Sequence, residues 1–168
     1  MKKIAPSGFS SLLLNIIDRL RFLGRFLIKP KLIGAITQSS QHLVDELMRD
    51  MGVSDATCLA ELGSGMGVAT QTILTMKRKD CLLLVVEKDL KFVDLLRERY
   101  SGLDVVHGDA AELHKYAAAR ELPPFDAVIS GLPFTFIDEV LQRQILASLK
   151  AHLRPGGGFT TFAYIQSK

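Results

Sequence analysis

Residues 61–67 read Glu-Leu-Gly-Ser-Gly-Met-Gly. A short apolar run, Cys58-Leu59-Ala60, precedes them, and a helix-forming segment with Val68, Ala69, Ile73 and Leu74 follows. A strand that ends in an acid and turns through Gly-x-Gly-x-Gly into a helix is a nucleotide-binding device. Its glycines reach positive φ and let a ligand approach the main chain. The helix behind them presents amides that have no partner within the helix. The same pattern also serves as a plain strand-to-helix connection, so the rest of the chain has to decide.

The spacing speaks to the ligand. A dinucleotide fingerprint is G-x-G-x-x-G, whereas here the third glycine comes one residue early, at Gly67, and Val occupies position 68. Glu61, two residues before the first glycine, suits a cationic ligand with an amino group, such as S-adenosylmethionine, better than a pyrophosphate. Downstream, the apolar run 82–86 ends in Glu87, twenty residues after Gly67 and close to the roughly 20-residue spacing at which an acid reaches a ribose hydroxyl. Val105 and Val106 lead into His107, Gly108 and Asp109. A fourth strand, 125–129, runs into Ser130, Gly131, Leu132, Pro133 and Phe134. Ligands of open parallel sheets bind at the carboxyl ends of strands, where these residues stand. The expected fold is α/β, a doubly wound, mostly parallel sheet of about five strands with helices on both faces. Each acid is also compatible with a solvated strand end.

Together, the glycine turn, Glu87, the turn 107–110 and the Arg-Pro-Gly-Gly-Gly run at 154–158 resemble a class I S-adenosylmethionine-dependent methyltransferase from about residue 40 onward. The resemblance implies that Glu61, Gly63, Ser64, Gly65 and Gly67 surround the methionine part of the cofactor. It implies that Glu87, with Lys88 beside it, holds the ribose, that Asp109 and Ala110 meet the adenine, and that Ser130 borders the cofactor.

The residues after the fourth strand bear on the acceptor. Ribosomal RNA adenine dimethyltransferases carry Asn, then Leu or Ile, Pro, and an aromatic residue here; the Asn accepts a hydrogen bond from the amine of a flipped base. This chain keeps Leu132, Pro133 and Phe134 but has Gly131 in place of the Asn. Ser130 to Phe134, with the leader and the Phe-Ala-Tyr at 162–164, is similar to the bacterial phospholipid N-methyltransferases, which methylate phosphatidylethanolamine toward phosphatidylcholine. That resemblance implies an acceptor site at Ser130, Gly131, Leu132 and Pro133. Tyr164 is a candidate proton acceptor, or a rim tyrosine of the fifth strand. Phe134, Phe136 and Tyr164 could face a methylated ammonium, and both phenylalanines read equally as core.

Charge is unevenly placed. The chain has 168 residues, a net charge of +3, 48% hydrophobic and 23% charged residues, the profile of one globular domain. Seven basic residues (Lys2, Lys3, Arg19, Arg21, Arg25, Lys29, Lys31) stand against Asp18 in residues 1–40, and acids exceed bases in residues 41–168. On a helix, Leu13, Ile16, Ile17, Leu20, Leu23 and Leu27 form one stripe with Arg21, Arg25 and Lys29 opposite. This leader suits the surface of an anionic membrane, packing on the domain or on a second subunit, or both; its charges exclude a membrane span. Nucleic acid is the less expected anionic partner. Cys58 and Cys81 read as buried thiols of a reducing compartment. The scattered histidines give no metal site.

The expected organisation is a basic helical leader (1–40) and a methyltransferase domain (41–168), with Ser39 or Ser40 capping the first helix of the domain. A helix ending near Leu153 and a turn at 154–158 lead to a fifth strand, 159–165. The closing hairpin of the full family sheet is not expected within these residues, whether the protein is naturally short or the sequence is a piece of a longer one, and homodimerisation or cover of the fifth strand by the leader is an expectation. The expected activity is methylation of a phospholipid amine by a protein bound peripherally to the cytoplasmic face of the membrane. The alternatives are an RNA adenine N-methyltransferase and a non-catalytic cofactor-binding membrane adaptor.

Overall fold

A computed structural model describes residues 44–161. The leader at 1–40, its boundary with the domain, the cap at Ser39 or Ser40, and Tyr164 lie outside the described residues. The first helix, α1 (44–50), buries Val44 and Met48. Gly52 closes it at φ +65°. Val53 N donates to Met48 O at 3.1 Å and Gly52 N to Arg49 O at 2.9 Å, the paired bonds of a Schellman ending.

Strands and helices then alternate: β1 (Cys58–Leu62), α2 (Val68–Met76), β2 (Leu82–Glu87), α3 (Leu90–Arg99), β3 (Asp104–His107), α4 (Leu113–Ala118), β4 (Phe125–Ser130), α5 (Glu139–His152) and β5 (Leu153–Thr161). Short 3-10 turns at Ala110–Glu112 and Phe134–Phe136 precede α4 and α5. Every pairing is parallel, in the order β3-β2-β1-β4-β5. This is the expected doubly wound sheet. Its order reverses beside β1, which pairs with both β2 and β4, and such a reversal opens a crevice at the carboxyl ends.

Strand periodicity separates two cores. Leu59, Val85, Ala127 and Ile129 pack with Val44, Met48, Ile73, Val93 and Leu96, the face of α1, α2 and α3. Cys58, Ala60, Leu62, Leu84, Val86 and Val128 pack with Leu113, Ala117, Ile145 and Leu149, the face of α4 and α5. Successive strand residues alternate between these faces, so Glu61 shares the α2 side with Leu59. Cys58 and Cys81 are buried. Burial pushes both thiols up, Cys58 to about 11, which leaves them protonated and poorly nucleophilic.

The fifth strand departs from expectation. Helix α5 ends at His152 and β5 begins at once, with Leu153 opposite Phe125 and Gly158 opposite Ala127. Residues 154–157, four against the single Asp126, therefore form an irregular bulge within the strand and not a turn ahead of it. Pro155 has no N–H to give a ladder and Gly156 sits at φ +76°, both suited to a strand that leaves its register.

At the opposite end of the sheet from the crevice, Asp126 ties β1, β4 and β5. Its carboxylate accepts from Thr57 N (2.7 Å), Thr57 Oγ1 (2.9 Å), Cys58 N (3.1 Å) and Arg154 Nε (2.7 Å). Burial opposes its ionisation, but these donors outweigh burial and hold the carboxyl at about 2. The stabilisation is full above the unfolded value near 3.8 and is lost as pH falls through about 2. Asp126→Asn is expected to cost roughly 2 kcal/mol at pH 7 and almost nothing at pH 2, measured by urea unfolding; equal stability at pH 7 would contradict this account of the network.

Candidate active site

Hydrogen bonds carry the sheet past its strand ends. Gly63 N donates to Val86 O (2.8 Å), Gly131 N to Leu62 O (2.8 Å) and Gly108 N to Glu87 O (3.0 Å). The segments after β1, β2, β3 and β4 are thus laced side by side. Gly63, Gly65 and Gly67 have φ of 67°, 53° and 82°, which L side chains rarely adopt. Behind the turn stands the end of α3: a Cβ on Gly67 would meet Leu96 Cδ2 at 2.8 Å, and Arg99 Nη1 donates to Met66 O at 2.8 Å. In front of the turn, a Cβ on Gly65 would meet nothing within 4 Å.

Two further features mark this space for a ligand. The Ser64 hydroxyl is buried and has no hydrogen-bond partner, a cost that protein structures rarely leave unexplained. Helix α2 starts at Gly67 without a side-chain cap, whereas Asp89 and Asp138 cap α3 and α5. An unused hydroxyl, uncapped amides and room beside Gly65 fit a ligand with a carboxylate and a polar chain, the methionine end of S-adenosylmethionine.

The three acids hold different positions. Glu61 is fully buried, and its Oε2 accepts from Thr70 Oγ1 of α2 at 2.7 Å. Burial pushes this carboxyl up to about 7; the Thr70 hydroxyl opposes the shift and the Glu87 charge adds to it. Ionising Glu61 therefore costs stability that is absent below about 4.5, grows as pH rises, and is complete above about 7. Glu61→Gln, which can still accept from Thr70, is expected to stabilise the ligand-free protein at pH 8 by on the order of 3 kcal/mol and to leave it unchanged at pH 4. Denaturant unfolding at the two pH values measures this, and a Gln variant less stable at pH 8 would overturn the assignment.

Glu87 points back into the turn. Its Oε2 accepts from Gly65 N at 2.8 Å, and Oε1 accepts from Lys88 N (2.8 Å) and Asp89 N (2.9 Å). Asp109 sits at the end of β3, where Oδ2 accepts from Lys88 Nζ (2.7 Å) and Oδ1 from Ala111 N (3.0 Å). The Lys88 ammonium is the main reason the Asp109 carboxyl lies below its ordinary value. Ala110 opens the short 3-10 turn that Asp109 caps. Tyr116 closes this corner from below: its hydroxyl accepts from Asp109 N (3.2 Å) and donates to Glu112 Oε2 (3.0 Å), and a Cβ on Gly108 would strike its ring. His107 bonds to Lys88 O at 3.1 Å, a structural tie between β2 and β3. The sequence placed Glu61, Glu87, Lys88, Asp109 and Ala110 at this end of the sheet, but nothing local in it pointed to Thr70, Arg99 or Tyr116.

The loop after β4 lies directly on the glycine turn. A Cβ on Gly131 would collide with the carbonyl oxygen of Gly63, and a Cβ on Gly63 would meet Leu132 Cδ2 at 2.5 Å. Ser130 is buried and its Oγ accepts from Leu132 N at 3.3 Å. Pro133 leads into the 3-10 turn Phe134–Phe136. Phe134 stands edge-on to Phe159, with ring centroids 5.7 Å apart, so at least part of this ring serves packing. A separate groove of about 600 Å³ between α4 and α5 reaches the site only at Asp109.

Residues 59–157 match the family described as "Methyltransferase domain". The chain is 34% identical over 145 residues to the ornithine lipid N-methyltransferase of Singulisphaera acidiphila, covering 84% of this chain and 76% of that protein. It is 26% identical over 107 residues to the probable ribosomal RNA small subunit methyltransferase A of Methanosphaera stadtmanae, covering 58% of this chain and 36% of that protein. In fold it is similar to CalS10, an amino pentose methyltransferase of Micromonospora echinaspora solved with S-adenosylmethionine bound, with a TM-score of 0.58 and 24% identity over 76% of this chain and 50% of that one. The chain thus spans most of the lipid relative and half or less of the other two. The glycine turn with its unused donors, the acids at the next two strand ends and these matches agree: the chain belongs to the class I S-adenosylmethionine-dependent methyltransferases, and S-adenosylmethionine is its cofactor.

Proposed function

We propose that this protein transfers a methyl group from S-adenosylmethionine to the primary amine of a lipid head group at a membrane surface. The observation that carries the reading is the contact between Gly131 and Gly63. The position that holds the amine-binding Asn in the resembling RNA enzymes has no space for any side chain here. A planar base amine loses its acceptor, while a flexible alkyl amine can be met by main-chain carbonyls around Ser130 and Gly131. The extended similarity to a protein named for lipid N-methylation supports the same choice.

On this reading, Glu61, Gly63, Ser64, Gly65 and Gly67 hold the methionine part, Glu87 and Lys88 flank the ribose, and Asp109 and Ala110 meet the adenine. The cofactor supplies an electrophilic methyl on a sulfonium. The protein supplies approach geometry and a site in which the acceptor ammonium sheds its proton. Phosphatidylethanolamine and ornithine lipid both present primary amines on flexible chains. The anionic membrane is the proposed partner of the basic leader, whose Arg21 and Arg25 lie outside the described residues. Among the described residues, no helix is long and apolar enough to cross a membrane.

The test supplies methyl-labelled cofactor with vesicles of phosphatidylethanolamine, vesicles of ornithine lipid, or ribosomal RNA. Label in either lipid amine supports the proposal. Label confined to RNA overturns it in favour of the base methyltransferase, and label in none favours the adaptor.

A further inference from the structure

The loop that follows β4 has a fastening that neither its own sequence nor the cofactor explains. Gln142, on the first turn and a half of α5, turns its side-chain amide back onto that loop. Its Nε2 donates to Phe134 O at 2.9 Å and to Ile137 O at 2.8 Å. One NH2 group thereby bridges the carbonyls at the start and just past the end of the 3-10 turn Phe134–Phe136. The turn's own bonds are Phe136 N to Pro133 O (2.8 Å) and Ile137 N to Phe134 O (3.2 Å). Upstream, Thr161 Oγ1 donates to Leu132 O at 3.2 Å, and Leu132 rests against Gly63. The loop is therefore pinned by α5 at one end, by β5 and the glycine turn at the other.

We propose that Gln142 is a positioning residue for methyl transfer: its amide fixes the 132–137 loop, and with it the acceptor amine, relative to the cofactor seated on the glycine turn. This rests on the reading that the loop presents the acceptor. The chemistry of the amide is specific. Two carbonyl oxygens need two donors, which a glutamine supplies and an ionised glutamate of the same shape does not. A carboxylate there would face two carbonyls and repel both. In-line displacement is sensitive to approach, and displacement by about 1 Å can cost on the order of 100-fold in rate. The bonds of the Gln142 side chain go to Phe134 and Ile137, not to the glycine turn or the ends of β2 and β3, so its loss is expected to alter cofactor affinity little.

The test compares Gln142→Glu and Gln142→Leu in the full chain, using amine-lipid vesicles as acceptor. Three quantities are read: kcat, the Kd of S-adenosylhomocysteine by calorimetry, and hydrogen exchange at the Phe136 and Ile137 amides. The expected result is a loss of kcat of roughly 10–100-fold in both variants, Kd within about twofold, and faster exchange at both amides. Because Glu preserves size, a role in packing alone predicts near-normal kcat for Gln142→Glu, and that outcome overturns the proposal. A parallel loss of cofactor affinity overturns it as well. If the wild-type protein methylates no amine lipid, the functional reading fails by itself, and unchanged exchange at Phe136 and Ile137 then refutes the clamp while accelerated exchange retains it.

Discussion

Gly65→Val abolishes cofactor binding: the Kd of S-adenosylhomocysteine is expected to weaken by at least about 100-fold, roughly 3 kcal/mol. Gly65 stands at φ +53° with open space where its side chain would be. A branched side chain would fill that space and deny the ligand the main chain. The left-handed backbone adds a folding cost of roughly 1–2 kcal/mol for an L residue, but a Cβ here meets no protein atom within 4 Å, so the variant should remain folded. The distinction matters, because a Cβ on Gly67 would press on Leu96 and would confuse lost binding with lost packing. Calorimetry alongside a circular dichroism melt separates the two. Unchanged affinity in a folded Gly65→Val protein would remove the glycine turn from the site.

Gly131→Asn restores, on paper, the tetrapeptide of the RNA adenine enzymes, yet it should give no base methylation. The new Cβ meets the Gly63 carbonyl, a main-chain atom that cannot swing aside. Relief requires moving the glycine turn or breaking the bond from Gly131 N to Leu62 O. Overpacking of this kind costs roughly 1–3 kcal/mol, and here the strain falls on the glycine turn. The expected result is a lower melting temperature, weaker S-adenosylhomocysteine binding, and loss of amine methylation of at least about tenfold. A variant as stable as wild type that methylates adenine would show that the two loops are not interlocked and would return the RNA reading to the front.

Much of this arrangement is written locally. The apolar runs of β1, β2 and β4 are continuous because helices cover both faces of the sheet, and each ends in the residues that form the crevice. The glycine spacing gave the turn, and Glu87 and Asp109 follow from strand ends that any strand assignment locates. What sequence spacing could not supply is pairing across distance. Thr70 under Glu61, Gly65 N on Glu87, Tyr116 beneath Asp109 and Gln142 on the 134–137 turn all depend on which helix lies over which strand end. The same applies to Asp126, whose donors come from residues 57, 58 and 154. The β5 bulge is not legible locally, because Pro-Gly-Gly-Gly reads as a turn while the parallel pairing of Leu153 with Phe125 is non-local. The burial of Glu61, and hence its raised carboxyl, required knowing that β1 is central and that α2 closes over it.

The most direct test of the central claim is a crystal structure with S-adenosylhomocysteine. The account predicts the nucleoside between the glycine turn and the ends of β2 and β3. The Glu87 carboxylate should leave Gly65 N for the ribose hydroxyls, the Ser64 hydroxyl should gain a partner, and Lys88 should part from Asp109 as the adenine arrives. Density for the nucleoside in the groove between α4 and α5, or a bound complex in which Glu87 still holds Gly65 N, would contradict it.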